Sequence, residues 1–414
     1  MKAGRAALIA LAVWGVALAA ASFAGPGGQG GAMASQATSP KIEALTDAVR
    51  DARPKKLDEI ISNFMARNRG AFPLIEDSLV TYVYRGKVAL RVCVPSDLNR
   101  WDTNADKMER LGSADFYYRT LVLPMDARID YKLHVDNVWT LDPLNSTTVR
   151  GGFGDNSAFA MPAYQEPWEI AANTAIEHGT LEAHDFASEV LGNGRRIQVY
   201  LPAGYRPRGV PGGVAGSFAG SYRVIFVQDG GEYITLGSMV NVLDNLIAHG
   251  AIPAVVGIFV DPVERNSEYW LNPAYGQMVV DELVPFIRDR YDVGRDPAKT
   301  AIMGASLGGE IAVMIALDHP EVFGKCGSQS GVVGLDEGHL IKAVSAGPRQ
   351  AVDFYLDCGR FGDATDENRR MQEALAGQGY LFKYQEFNEG HSWGNWRAHI
   401  DDMLVFFWGT DAAR

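Results

Sequence analysis

The chain has 414 residues, of which 47% are hydrophobic and 21% charged, with a formal net charge of -12. That supplies apolar surface for a sizeable core and suits about two domains with tails. The acidity argues against nucleic-acid binding, which calls for a basic footprint, and three irregularly spaced cysteines, Cys93, Cys326 and Cys358, make neither a disulfide framework nor a zinc site.

Residues 1–24 place Lys2 and Arg5 before an apolar run from Ala6 to about Ala21, followed by Ser22-Phe23-Ala24. This is the layout of a secretory signal peptide, cleaved near Ala24. The apolar run falls slightly short of a spanning helix. The expectation is therefore a periplasmic or extracellular protein without stable membrane insertion, an uncleaved anchor being the alternative. Residues 25–40, GPGGQGGAMASQATSP, have too little apolar surface to fold and read as a flexible linker.

Residues 41–70 predict a helical lead-in of two amphipathic pieces interrupted at Pro54. From 71 to 165 the runs SLVTYVYRG, KVALRVCVP, FYYRTLVLP and ARIDYKLHV, punctuated by Gly, Pro, Asn and Asp, predict a small antiparallel β-sandwich. Trp101 and Trp139 are assigned to its core, ahead of a sugar-stacking platform that would give glycan contact.

Beyond Pro167 apolar strands alternate with helices: RRIQVYLP, YRVIFVQDG, PAVVGIFVD, KTAIMG, KCGSQSG, AVDFYLDCG and LFKYQEFN are the strands. Near-continuous apolar strands between helices signal a mostly parallel sheet covered on both faces, an α/β domain over 175–410. Cys326 and Cys358, at the ends of two such runs, read as buried reduced thiols rather than a disulfide.

Within AIMGASLGGEIAVMIALDHP, Ser306 sits between a buried strand and a helix in Gly-x-Ser-x-Gly form. A turn that sharp admits only small neighbours, and it lifts the hydroxyl clear at the carboxyl edge of the sheet. The Leu307 N–H, at the positive end of the helix, then faces a developing oxyanion. A serine needs a base, and the base an orienting carboxylate, in the chain order Ser, acid, His. His391 in YQEFNEGHSWGNW is the base. Asp363 in FYLDCGRFGDATDENRR is the preferred acid, since Asp357 is read as inside the strand and Asp366 as a helix cap. In VQDGGEYI, Gly230 and Gly231 let backbone N–H groups approach a ligand and are the candidates for the second oxyanion donor. No metal or cofactor is implied.

Taken in order, Asp229-Gly230, FVDPVERNSEYW, ELVPFIRDRY, GASLGG with HPEVFGKCGSQSG, and EGHSWGNW resemble the esterase D superfamily, in its enterochelin esterase and feruloyl esterase branch. The stretch YKLHVDNVWTLDPLN, with Asp142, Pro143 and Asn145, resembles the end of the immunoglobulin-like domain that precedes isoamylase-type enzymes and enterochelin esterases. The resemblance implies an α/β-hydrolase fold and serine carboxylic ester hydrolysis, with Ser306, His391 and Asp363 in the triad positions. It places Arg265 and Glu268 at the active-site rim as an Arg-x-x-Glu. GRFGD departs from the family's commoner GRFE-type pattern, which leaves the acid open.

Three function classes follow: a secreted esterase, an acyltransferase on the same fold, and a non-catalytic carbohydrate-binding protein. Among ester substrates, a bulky anionic siderophore such as ferric enterochelin would call for basic groups such as Arg265 and Arg360. A flat, neutral feruloyl ester, free or linked to polysaccharide, suits an exported acidic chain and an aromatic wall at Trp393, which alternatively packs beneath the last helix. Feruloyl-type esters are therefore placed ahead of siderophore trilactones.

Overall fold

The structure, a computed structural model, describes residues 38–86, 89–207 and 222–410. The expected signal segment, residues 1–24, and the linker as far as residue 37 lie outside the described residues.

Two helices, Pro40–Val49 and Pro54–Arg67, open the fold, each with proline in its first turn. Proline there presets φ and lacks only an N–H that has no intrahelical acceptor. Ile42, Leu45 and Ile61 on these helices bury against Phe72, Leu74, Val83 and Phe116. The helical lead-in is thus fastened to the strands that follow it.

Among the described residues those strands form one four-stranded and two three-stranded antiparallel sheets. Val80, Tyr82, Val92, Leu121, Ile129, Tyr131 and Phe159 share their core. Asp142 and Asn145 fix the loop after the last of the sequence-predicted strands. The Asp142 carboxylate accepts from Tyr131 Oη at 2.7 Å and from the Leu144 N–H at 2.8 Å, and Asn145 donates to the Ala158 carbonyl at 2.9 Å. Trp101 and Trp139, assigned to the core from sequence, are not in it. Trp139 is 47% exposed and Trp101 half-buried, and their rings stand 6.5 Å apart at 39°. They lie on loops and at a sheet margin, where the core cannot reach around them.

The rest of the chain builds one sheet from β1 (Thr180–Ser188), β2 (Asn193–Leu201), β3 (Arg223–Gln228), β4 (Val255–Val260), β5 (Thr300–Ala305), β6 (Lys325–Gln329), β7 (Asp353–Phe361) and β8 (Phe382–Gly390). The order is β1-β2-β4-β3-β5-β6-β7-β8, antiparallel at β1-β2 and β2-β4 and parallel elsewhere. This is the α/β-hydrolase arrangement. Successive side chains of β3 go to opposite faces. Val224 and Phe226 join the core under the helices Val284–Arg290 and Leu307–Asp318, while Ile225 and Val227 join the core under Met239–Ala248 and Ile400–Trp408. Each such side chain contributes roughly 1.5–3 kcal/mol by leaving water.

Cys326 lies in register with Phe354, four residues before Cys358, so the two buried thiols are not bonded. Among the described residues no helix is long and apolar enough to cross a membrane.

Candidate active site

β5 runs straight into Ser306, and the helix Leu307–Asp318 leaves directly after it. Ser306 has φ 57° and ψ -123°, a backbone state that L-residues adopt at a cost. The surroundings hold it there. A Cβ on Gly304 would lie 2.3 Å from the Gly308 carbonyl oxygen, so strand and helix can close up only around glycine. The Ser306 N–H donates to the Gln329 carbonyl at 2.9 Å, anchoring the turn to β6.

His391 follows β8 and Asp363 follows β7, both at the carboxyl edge of the sheet beside Ser306. His391 Nε2 lies 3.0 Å from Ser306 Oγ, and His391 Nδ1 lies 2.7 Å from Asp363 Oδ1. An ionised carboxylate only accepts, so Nδ1 carries the proton and Nε2 is left as the acceptor for the serine hydroxyl. The Asp363 side chain is wholly buried. Burial alone would raise its pKa. The His391 ring, the Ser330 hydroxyl and the Ala364 N–H outweigh that and hold it below the ordinary carboxylate value. Ser330 Oγ donates to Asp363 Oδ2 at 2.6 Å, as does the Gly359 N–H at 2.6 Å, while Trp396 Nε1 donates to Ser330 Oγ at 2.9 Å. Trp396 also sets its ring edge-on to His391 at 5.1 Å.

Ser330 and Trp396 escaped the sequence reading, though KCGSQSG and GHSWGNW were both singled out. Serine and tryptophan orienting a carboxylate carry no spacing signal. The alternative acids are elsewhere. Asp357 is buried in β7, accepts from Gln329 Nε2 at 3.1 Å, and has its pKa pushed up to about 7, chiefly by burial. Asp366 is exposed in the first turn of the helix Thr365–Gly377, whose cap is Ala364 rather than Asp366.

The N–H groups of Leu307 and Gly230 occupy the first positions of the helices Leu307–Asp318 and Gly230–Thr235, where no intrahelical carbonyl can reach them. Gly231 is corrected: its N–H donates to Asp261 Oδ1 at 2.8 Å and is committed there. Arg265, expected at the rim, is partly exposed and ion-paired. Its guanidinium grips Asp229 through two bonds of 2.8 Å and reaches the Ala305 carbonyl at 3.4 Å, so it ties the Gly230 loop to the residue before Ser306. Burial would lower the Arg265 pKa, and Asp229 raises it beyond that. Glu268 does not reach the rim; it is buried and paired with Arg195 at 2.8 Å. Trp393 is 5% exposed and packs edge-on between Tyr233 and Trp396, each 5.0 Å away, so most of its ring belongs to the core.

The N-terminal sheets border the site. Ser392 Oγ donates to Asp97 Oδ2 at 3.3 Å, and Asn388 Nδ2 to Asp126 Oδ1 at 2.7 Å. Among the described residues no group of three or more His, Cys, Asp or Glu is arranged to hold a metal ion.

Residues 188–407 match the family model Esterase, described as "Putative esterase". An iron(III) enterobactin esterase of Dickeya dadantii is 28% identical over 288 residues, covering 63% of this chain and 63% of that protein. An endo-1,4-beta-xylanase/feruloyl esterase of Xylanibacter ruminicola is 27% identical over 294 residues, covering 68% of this chain and 38% of that protein. The solved enterobactin esterase of Shigella flexneri, determined in the presence of enterobactin, superposes with a TM-score of 0.68 at 21% identity, over 84% of this chain and 97% of that one. That likeness shows the shared fold.

Proposed function

The chain belongs to the Esterase family and is a carboxylic ester hydrolase of the enterochelin esterase and feruloyl esterase type; from that premise we propose that it works through an acyl-enzyme formed on Ser306. The observation that carries the proposal is the chain of contacts from Ser306 through His391 to Asp363, at 3.0 and 2.7 Å.

His391 Nε2 takes the Ser306 proton as Oγ attacks the ester carbonyl carbon. The carbonyl oxygen gathers negative charge between the Leu307 and Gly230 N–H groups. Preorganised donors of this kind are worth several kcal/mol each at the transition state. Buried Asp363 keeps Nδ1 protonated and stabilises the imidazolium that forms. His391 then gives its proton to the departing alkoxide. Water enters, His391 activates it in the same way, and the acid leaves with Ser306 restored.

For the substrate, we infer a neutral acyl or aryl ester, feruloyl-type ahead of a siderophore trilactone. The two arginines that a polyanionic trilactone would want are both partnered by carboxylates, Arg265 by Asp229 and Arg360 by Glu386. The signal-like residues 1–24 support export to the periplasm or medium. Purified protein and its Ser306→Ala variant would be given methyl ferulate, feruloylated arabinoxylan and ferric enterochelin. Hydrolysis by the first and none by the second is expected. Undiminished turnover by Ser306→Ala sinks the mechanism, and a kcat/KM for the trilactone well above both feruloyl esters reverses the substrate ranking.

A further inference from the structure

Gly152 and Phe153 form the two-residue turn between the strands Thr148–Gly151 and Gly154–Ala160, with Gly151 and Gly154 paired across it. The turn belongs to the N-terminal sheets, yet it reaches the site. A Cβ built on Gly152 would lie 3.5 Å from Glu232 Oε1 and 3.7 Å from Trp393 Nε1. Glu232 follows Gly230 by two residues and Trp393 follows His391 by two, so the turn is seated between the oxyanion loop and the histidine loop.

Phe153, the next residue, is 97% exposed. Among the described residues its ring packs against nothing. Turns favour small and polar residues, and a phenyl ring left in water forgoes the favourable transfer that burial would give. Scattered apolar residues on a surface are ordinary. This one is set apart by its position, on a glycine-flanked turn in contact with both loops that serve Ser306.

We propose that Phe153 is a specificity-determining residue that packs on the aromatic ring of an aryl ester seated at Ser306. The proposal rests on the esterase reading above. Aryl pairs in offset or edge-on contact gain beyond the area they bury, whereas a short aliphatic ester has no ring to pair with Phe153.

The full chain, Phe153→Ala and Phe153→Trp would be assayed on methyl ferulate and methyl butyrate, and each would be titrated with ferulate by calorimetry. In Phe153→Ala, kcat/KM for methyl ferulate falls about tenfold, or about 1.4 kcal/mol, carried by KM. Methyl butyrate stays within twofold, ferulate binds about tenfold more weakly, and Phe153→Trp keeps the aryl preference. Parallel changes on both esters, or no change on either with ferulate binding unaltered, overturn the proposal. Should the unmodified chain cleave neither ester, the esterase reading fails by itself. Ferulate binding then still decides: weakened by Phe153→Ala it upholds the subsite, and unchanged it removes it.

Discussion

Asp97 occupies the space that any side chain at Gly390 would need: a Cβ built on Gly390 lies 2.2 Å from Asp97 Cβ. Asp97 is on the N-terminal part of the chain and Gly390 directly precedes His391, so the wall of one part sets the position of the base in the other. Asp97 Oδ2 also takes the Asp130 N–H at 2.9 Å, which fastens its turn to the strand Arg128–Tyr131.

Gly390→Ala should therefore push the histidine loop off its wall. Overpacking of this kind costs roughly 1–3 kcal/mol of stability, and small misplacements of a base cost catalysis heavily. A fall in kcat of about tenfold or more is expected, with a modestly lowered Tm. Assays and melting curves on the purified variant check both; full activity would show that the loop has slack the contact does not suggest.

Much of this was legible in the sequence. The elbow at Ser306 could be read because a serine centred in a small-residue run between an apolar strand and a helix fits a tight strand-to-helix turn. Asp363 and His391 could be read because each follows a strand through a loop. The edge strand β1 was missed, since most of Thr180–Ser188 is exposed and its sequence, TLEAHDFAS, lacks an apolar run. Arg265 and Glu268 were assigned to the rim as a pair, but a helical spacing says nothing about which carboxylate or guanidinium lies across from each. Only the fold brings Asp229 to one and Arg195 to the other.

The choice of acid predicts a graded series. Asp363→Asn removes the acceptor that keeps His391 Nδ1 protonated, and kcat should drop by about three to four orders of magnitude. Asp366→Asn, exposed and facing Arg369, should leave kcat within twofold, and Asp357→Asn should change it far less than Asp363→Asn. Steady-state kinetics on the three variants test this order. A larger loss at Asp357 than at Asp363 would assign the acid to the strand instead of the loop.

Arg265 makes a different prediction. Its grip on Asp229 holds a residue at φ 56° whose successor supplies the Gly230 N–H. Arg265→Gln should loosen that donor, lowering kcat by about 10- to 100-fold with KM for methyl ferulate little changed. A KM effect with kcat intact would mean that Arg265 binds substrate after all.

Asp357 and Asp363 pull the pH dependence of stability in opposite directions. The Asp363 pKa is lowered in the fold, so its contribution is present above the unfolded value near 3.9 and is lost as pH falls through the lowered value. The Asp357 pKa is raised to about 7, so the fold favours its protonated form: that contribution is full below about 3.9 and disappears as pH rises through 7. Above pH 8 the ionised Asp357 is a buried charge with Gln329 as its side-chain donor, a cost on the order of a few kcal/mol. Asp357→Asn keeps the shape and the Gln329 bond and cannot ionise. It should match the unmodified protein at pH 3 and exceed it in urea midpoint at pH 8.5, where Asp363→Asn shows no such gain. Equal midpoints for Asp357→Asn and the unmodified chain at both pH values would mean that Asp357 titrates near its ordinary value.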